Sequence, residues 1–373
     1  MIVGRTCMVG ESRLWCRAAL VTAVLAVAAC APRADLSLMN PPPPGSLLEA
    51  ERFEVLAVTT RARLSPTANV FTTTRSLVPS HALFHIAAAQ GRQPGVTQSA
   101  GHAPVIAVER QAIITSRQAL LDHLAGSPRP RDISLFIHGF NLNFPEALMR
   151  TAQLSADEIL RGQPLLFAWP SEARVQGYLH DRDSVIVSRD ALVQLLVDLA
   201  GDARLGNVDV LTHSMGALLM VEAMRQLRLT GRGDVLDQLS VTLASPDIDL
   251  DVFAAQMAVI GPMRRPMKIL VARDDRALIL AGRLSGEARL GVLDVANPRV
   301  QKAAEAYNIA IIDISELRAT DGLRHDRYSG LGSRGATRAQ LGELRQAGAF
   351  VVTALGAIVS APFDVLEGVL ALE

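Results

Sequence analysis

"DVLTHSMGALL", residues 209–219, is the stretch on which the reading of the fold turns. An apolar run from Val208 to Leu211 stops at Thr212, and Ser214 then stands between His213 and Met215. Gly216 follows, and from Met215 onward the pattern is helical. A serine at the point where a strand breaks into a helix has two readings. Serine is a good helix N-cap, which needs no chemistry. It is also the residue held at the tip of a strained strand-turn-helix elbow, usually Gly-x-Ser-x-Gly, where its hydroxyl serves as a nucleophile. Thr212 replaces the first glycine here, which leaves a tighter turn. The helix that starts at Met215 would place its N-terminal dipole beside a developing oxyanion.

The pattern on either side extends the alternation. "FEVLAVTT" (53–60) and "ALFHIAAA" (82–89) read as strands with Thr, Ser, Gly and Pro between them, an antiparallel start to a sheet. "DISLFIHGF" (132–140), "PLLFAWPS" (164–171), "NVDVLTHS" (207–214), "LSVTLASPDID" (239–249), "MKILVARDD" (267–275) and "IAIIDISEL" (309–317) read as further strands. Helical stretches fall between them, among them 145–160, 188–201 with a serine at its start, and 215–229. Apolar runs without alternation indicate strands covered on both faces, and strand-helix repetition indicates a mostly parallel sheet. The fold class is therefore α/β, with helices on both faces of a central sheet.

Composition removes several function classes. The 373 residues carry 37 basic and 37 acidic side chains, so no global field draws the chain to nucleic acid. Aromatic residues make up 4%, too few for a base-stacking platform. The three cysteines, Cys7, Cys16 and Cys30, all lie in the first thirty residues, so the body has no cysteine-based metal site or disulfide.

That first segment reads as an export signal. Arg13 and Arg17 precede the apolar "AALVTAVLAVAAC" (18–30), which is too short to span a bilayer. Its end, Val27-Ala28-Ala29-Cys30, resembles the bacterial lipobox, in which the cysteine is lipidated and becomes the mature N-terminus. The competing reading is an ordinary signal with a chance cysteine. "NPPPPG" (40–45) reads as a stiff spacer that holds the body off the membrane. The expected location is the bacterial cell envelope, lipid-anchored and facing the periplasm or exterior.

Ser214 needs a base, and in this topology the partners follow as serine, acid, histidine. His325, in "DGLRHDRYSG" (321–330), is the only histidine C-terminal to Ser214. "SPDIDLD" offers Asp247, Asp249 and Asp251 as the acid, and "RDDRAL" offers Asp274 and Asp275; each could instead cap the helix that follows. Asp275 is favoured because it ends a late strand, with Asp249 as the alternative acid. Backbone N–H groups of Met215 and of Phe140, in "IHGFN" (137–141), are the candidate oxyanion donors. Tyr178 and Asp181 fall on a loop after a strand end, where they either border a pocket or are ordinary polar loop residues. No metal and no organic cofactor is expected.

"LFIHGFN", "FAWPSE", "YLHDRDSV", "LTHSMG", "LASPDIDLDVF", "RDDRAL" and the late His325, in this order, resemble the alpha/beta-hydrolase-like family of bacterial proteins called domain of unknown function 900. "TTRARL" (59–64) also resembles that family's opening segment. The resemblance covers roughly residues 53–335. It implies the alpha/beta-hydrolase fold of esterases and lipases, with Ser214 as the family's serine, His325 as its histidine and Asp275 as its acid; it implies no particular substrate. The expected organisation is a lipoprotein signal over 1–30, a Pro-rich spacer over 31–52, the hydrolase domain over 53–335 and an apolar helical segment over 336–373. The expected activity is that of a membrane-anchored serine hydrolase, esterase- or lipase-like, acting on a small-molecule or lipid ester. The alternatives are a non-catalytic envelope lipoprotein that uses the fold for binding, and a membrane or partner-docking protein that works through its apolar C-terminal tail.

Overall fold

A computed structural model describes residues 39–333 except 43–46, 48, 93, 96–104 and 128–130, together with two short strands near the C-terminus. The export signal and Cys30 lie outside the described residues.

Three strands lead off: β1 (Ala50–Arg63), β2 (Phe71–Ala89) and β3 (Ile106–Ile114), paired antiparallel in chain order. The strands β4 (Ile133–Ile137), β5 (Gln163–Ala168), β6 (Val208–His213), β7 (Leu239–Ala244), β8 (Met267–Val271) and β9 (Ile309–Asp313) follow, parallel to one another and to β1. With β10 (Val352–Thr353) and β11 (Ala357–Ile358) the sheet order is β11-β10-β9-β8-β7-β6-β4-β5-β1-β2-β3. This is the mostly parallel α/β sheet that the apolar runs predict. Every residue of β4, β5 and β8 is buried, as strands covered on both faces must be.

The helices are α1 (Arg117–Gly126), α2 (Phe144–Ala156), α3 (Tyr178–Gly201), α4 (Met215–Leu229), α5 (Gly233–Leu236), α6 (Leu250–Ile260), α7 (Arg276–Ser285) and α8 (Pro298–Ala306). Alternate strand residues feed two cores. Leu135, Ile137, Phe167 and Val210 pack under α1, α3, α4 and α6. Phe136, Leu166, Leu211 and Ile312 pack on the other face with α2 and Tyr328. Helix α2 is fixed at its start by a capping box, in which Asn143 and Glu146 each bond the other's backbone N–H.

The chain order reverses at β4: β5 lies on one side of it and β6 on the other. In open α/β sheets the crevice outside the strand C-termini at such a reversal is where ligands bind. The two turns singled out by sequence, 138–141 after β4 and 213–216 after β6, flank that crevice.

Four readings change. Strand β3 is an edge strand in which Glu109, Arg110 and Gln111 interrupt the apolar signal, so the pattern gives no strand there. Helix α3 begins at Tyr178 and not at Ser188, whose hydroxyl bonds back to Ser184 O inside the helix. Tyr178 and Asp181 thus stand in the first turn of a helix and not on a loop. Within the C-terminal segment expected to be helical, Val352–Thr353 and Ala357–Ile358 are extended, the first paired parallel to β9. Their β-branched residues suit a strand, and β9 offers an edge to pair with. At the other end, Met39 and Leu47 are buried and β1 begins at Ala50, so part of the expected 31–52 spacer packs on the body.

Candidate active site

Ser214 sits between β6 and α4 with φ 52° and ψ −120°. An L-residue rarely adopts positive φ, and such a conformation costs on the order of 1–3 kcal/mol unless its surroundings impose it. Here they do. Ser214 N–H donates to Ala244 O at 2.9 Å, and Ser214 O accepts from Ala217 and Asp247 N–H at 3.0 and 3.2 Å. The hydroxyl makes no capping bond to α4, so the helix-cap reading of this serine fails.

The turn is possible only because two glycines let β4 and the elbow touch. A Cβ on Gly216 would stand 2.4 Å from His138 O, and one on Gly139 would stand 2.8 Å from His213 Nδ1 and 3.0 Å from Ser214 Cβ. Met215, the first residue of α4, has an N–H that the helix geometry leaves without an intrahelical acceptor. Phe140 N–H, across the crevice, has no acceptor among the described residues. The Phe140 ring meets the Tyr178 ring edge-on at 5.3 Å.

Asp275 and His325 are in contact. His325 Nδ1 lies 2.7 Å from Asp275 Oδ2, and Asp275 is fully buried. The other carboxylate oxygen, Oδ1, accepts from Leu278 N–H at 3.0 Å and so caps α7. The sequence poses capping and histidine-holding as alternatives, and Asp275 does both. Burial pushes the His325 imidazole down, but the bond and charge of Asp275 outweigh it, and the net shift is upward from the usual value. Asp249 only caps: its side chain accepts from Asp251 and Val252 N–H at the start of α6 and has no contact with His325 among the described residues.

No hydrogen bond joins Ser214 Oγ to His325 among the described residues; the link between them runs through His213. The His213 ring packs on His325 at 4.6 Å and on Tyr328 at 4.5 Å, and His213 Nε2–H donates to His325 O at 3.2 Å. Burial, reinforced by the nearby His325, pushes His213 well below the usual imidazole value, so it stays neutral. Nucleophile–base hydrogen bonds are often long before substrate arrives.

A family model described as "Alpha/beta hydrolase of unknown function (DUF900)" matches residues 114–334. The chain belongs to that family. The match begins at the end of β3, so the antiparallel lead-off strands lie outside it, a narrower span than the sequence resemblance. A hydrolase from Oleispira antarctica is similar in structure with a TM-score of 0.25 and 14% identity, over 58% of this chain and 92% of that one. No curated protein matches the chain.

Several residues of this family member complete the site in roles that the sequence does not show. Asp274, beside the acid, accepts from Arg324 Nη1 at 2.6 Å and from Arg327 Nη2 at 2.7 Å. Arg276 N–H donates to Leu323 O, and His325 N–H donates to Asp321 Oδ1, both at 2.9 Å. The 321–327 loop is therefore pinned to the start of α7 on both sides of His325. On the serine's other flank, His138 stacks on Trp169 at 4.9 Å, and Trp169 Nε1–H donates to His138 O at 2.7 Å. Burial, with the charge of Arg61 beside it, pushes His138 down to about 3. Arg61, from "TTRARL", is itself buried and donates to Ser171 O and Leu142 O. It thereby ties β1 to the turns around the crevice.

Proposed function

We propose that this family member is a serine hydrolase that cleaves carboxylic esters, held at a bacterial envelope membrane through lipidated Cys30. The observation that carries the reading is the strained Ser214, its hydroxyl unused by the helix behind it, near His325, which is bonded to the buried Asp275. His325 takes the Ser214 proton on Nε2 as Oγ attacks the ester carbonyl. The developing oxyanion accepts from the N–H groups of Met215 and Phe140. Asp275 keeps Nδ1 protonated and stabilises the imidazolium, which then protonates the leaving alcohol. Water, deprotonated by His325, resolves the acyl-enzyme and returns Ser214.

The direct test is release of 4-nitrophenol from 4-nitrophenyl esters of graded acyl length. Turnover that disappears in Ser214→Ala at unchanged fold is the expected result. Turnover that survives that change, or none with any ester, overturns the reading. For the anchor, Cys30→Ser is expected to shift the protein from the membrane to the soluble fraction; retention in the membrane overturns it.

A further inference from the structure

Behind the serine lies a charged group that the mechanism above does not use. Arg289, in the turn after α7, is 4% exposed. Its Nε faces Asp247 Oδ1 at 3.3 Å, an ion pair with both side chains 4% exposed. The other oxygen of Asp247 accepts from Tyr178 Oη at 2.7 Å. Asp247 N–H donates to Ser214 O, so Arg289 stands one side chain away from the proposed nucleophile. The position is fixed by backbone: Leu290 N–H bonds Ile248 O at 2.8 Å, and Gly291 N–H bonds Pro246 O at 3.0 Å. Gly291 is needed there, because a Cβ would meet Ser245 C at 2.8 Å and Pro246 N at 2.9 Å.

A guanidinium carries five N–H donors and no acceptor. Asp247 Oδ1 lies 3.3 Å from Nε as an ion pair without hydrogen-bond geometry, and no described residue accepts from the four N–H groups of the terminal nitrogens. Arg289 also lines a groove of ≈ 310 Å³ with Leu278, Ile279, Arg283, Glu287 and Val292, along the helix that Asp275 caps. The terminal nitrogens are not among the buried polar atoms that lack a partner, so the fork stays open to solvent and free to take a ligand, one side chain away from Ser214.

We propose that Arg289 is the specificity-determining residue of this site, and that the ester it reads carries a carboxylate seated on the two terminal guanidinium nitrogens. This rests on the serine-hydrolase reading. A planar carboxylate accepts two parallel bonds from that fork, which a neutral ester group or an aliphatic chain cannot do. The Tyr178 bond holds Asp247 Oδ2 and the charge of Arg289 faces Asp247 Oδ1, so the carboxylate stays in place while the fork is engaged. The leucine, isoleucine and valine of the groove wall then pack the connecting carbons.

The test uses two ester pairs, one with the charge on the acyl side and a shared leaving group, and one with it on the alcohol side and a shared acyl group, each ratio being read relative to spontaneous hydrolysis of the same esters. The first pair is mono-4-nitrophenyl glutarate against 4-nitrophenyl methyl glutarate. The second is 4-butanoyloxybenzoate against its methyl ester. In at least one pair the wild type is expected to favour the carboxylate by about tenfold or more in kcat/KM. Arg289→Met is expected to bring that ratio to about one, and Arg289→Lys, which keeps charge but loses the fork, to an intermediate value. Should Arg289→Met fail to fold because Asp247 is left unpaired, the double change Asp247→Asn with Arg289→Met removes both charges and carries the same expected loss. Ester turnover with no carboxylate preference in either pair, or a preference that survives loss of Arg289, overturns the proposal and leaves the hydrolase reading intact. No turnover of any of the four esters, with Ser214 unreactive, overturns both.

Discussion

Asp275 holds His325 with one carboxylate oxygen and caps its own helix with the other, at 2.7 and 3.0 Å. The cap fixes where the carboxylate points, and the carboxylate fixes which imidazole nitrogen carries the proton. Asp275→Asn keeps an N-cap, since asparagine caps as well as aspartate. It loses the charge that stabilises the imidazolium. Turnover is expected to fall by about 10⁴, the loss seen when a triad carboxylate becomes an amide, with a small change in melting temperature. Asp249→Asn, which alters only the cap of α6, is expected to leave turnover near wild type. The two rates, measured side by side with thermal melts, check both statements.

The pH dependence of kcat/KM follows from the sign of the His325 shift. As a base His325 works only when neutral, and its value is raised by Asp275 against the opposing effect of burial. The acid limb of the profile is therefore expected above 6.5, the ordinary imidazole value. Asp275→Asn removes the raising contribution and should move that limb to lower pH while the plateau falls. A limb below the ordinary imidazole value in the wild type would contradict the assignment of His325 as the base.

Close backbone approach at the elbow gives a steric prediction. Gly216→Ala puts a methyl group 2.4 Å from His138 O and 2.8 Å from Ile137 O, both backbone atoms that cannot swing aside. The elbow must lift off β4, at a cost of roughly 1–3 kcal/mol, and the oxyanion donors separate with it. Turnover should fall further than stability. Gly201→Ala is the control: it meets nothing within 4 Å at the end of α3 and should change neither.

Acid sensitivity comes from two desolvated histidines, His138 buried and His213 half-buried. His213 and His138 have folded-state values below the unfolded 6.5, the second at about 3. Their stabilisation is present above the unfolded value and is lost as pH falls toward the folded one. Each group costs about 1.4 kcal/mol per pH unit in that window. His325 acts oppositely: its raised value stabilises below 6.5 and is lost as pH rises through the folded value. Two depressed groups outweigh one raised group, so urea midpoints should fall steadily from pH 6.5 to 4.5. His213→Phe, which keeps a ring between His325 and Tyr328, should flatten that fall.

The local part of this architecture was readable from residue order. Ser214 directly follows β6, Asp275 lies in the turn after β8 and His325 in the loop after β9, all strands that the apolar runs mark, and the order serine, acid, histidine restricts the choice. Strand β3 was not readable, because an edge strand is half solvent-facing and Glu109-Arg110-Gln111 break its pattern. The start of α3 was hidden because Tyr178, His180, Asp181 and Asp183 look like loop residues; only the packing of Tyr178 on Phe140 and Asp247 shows otherwise. The His213 stack, the Asp274 clamp and the Asp247–Arg289 pair join residues far apart in the chain. No periodicity or spacing encodes such contacts.

The central claim is that Ser214 is a nucleophile and not a structural serine, and intact mass after exposure to a fluorophosphonate measures this most directly. The account predicts one phosphonyl adduct per chain, localised by fragmentation to Ser214. It also predicts that the adduct is absent in Ser214→Ala and greatly slowed in His325→Ala, since the base is what activates the hydroxyl. An unmodified wild-type protein, or an adduct on another residue that persists in Ser214→Ala, would contradict it.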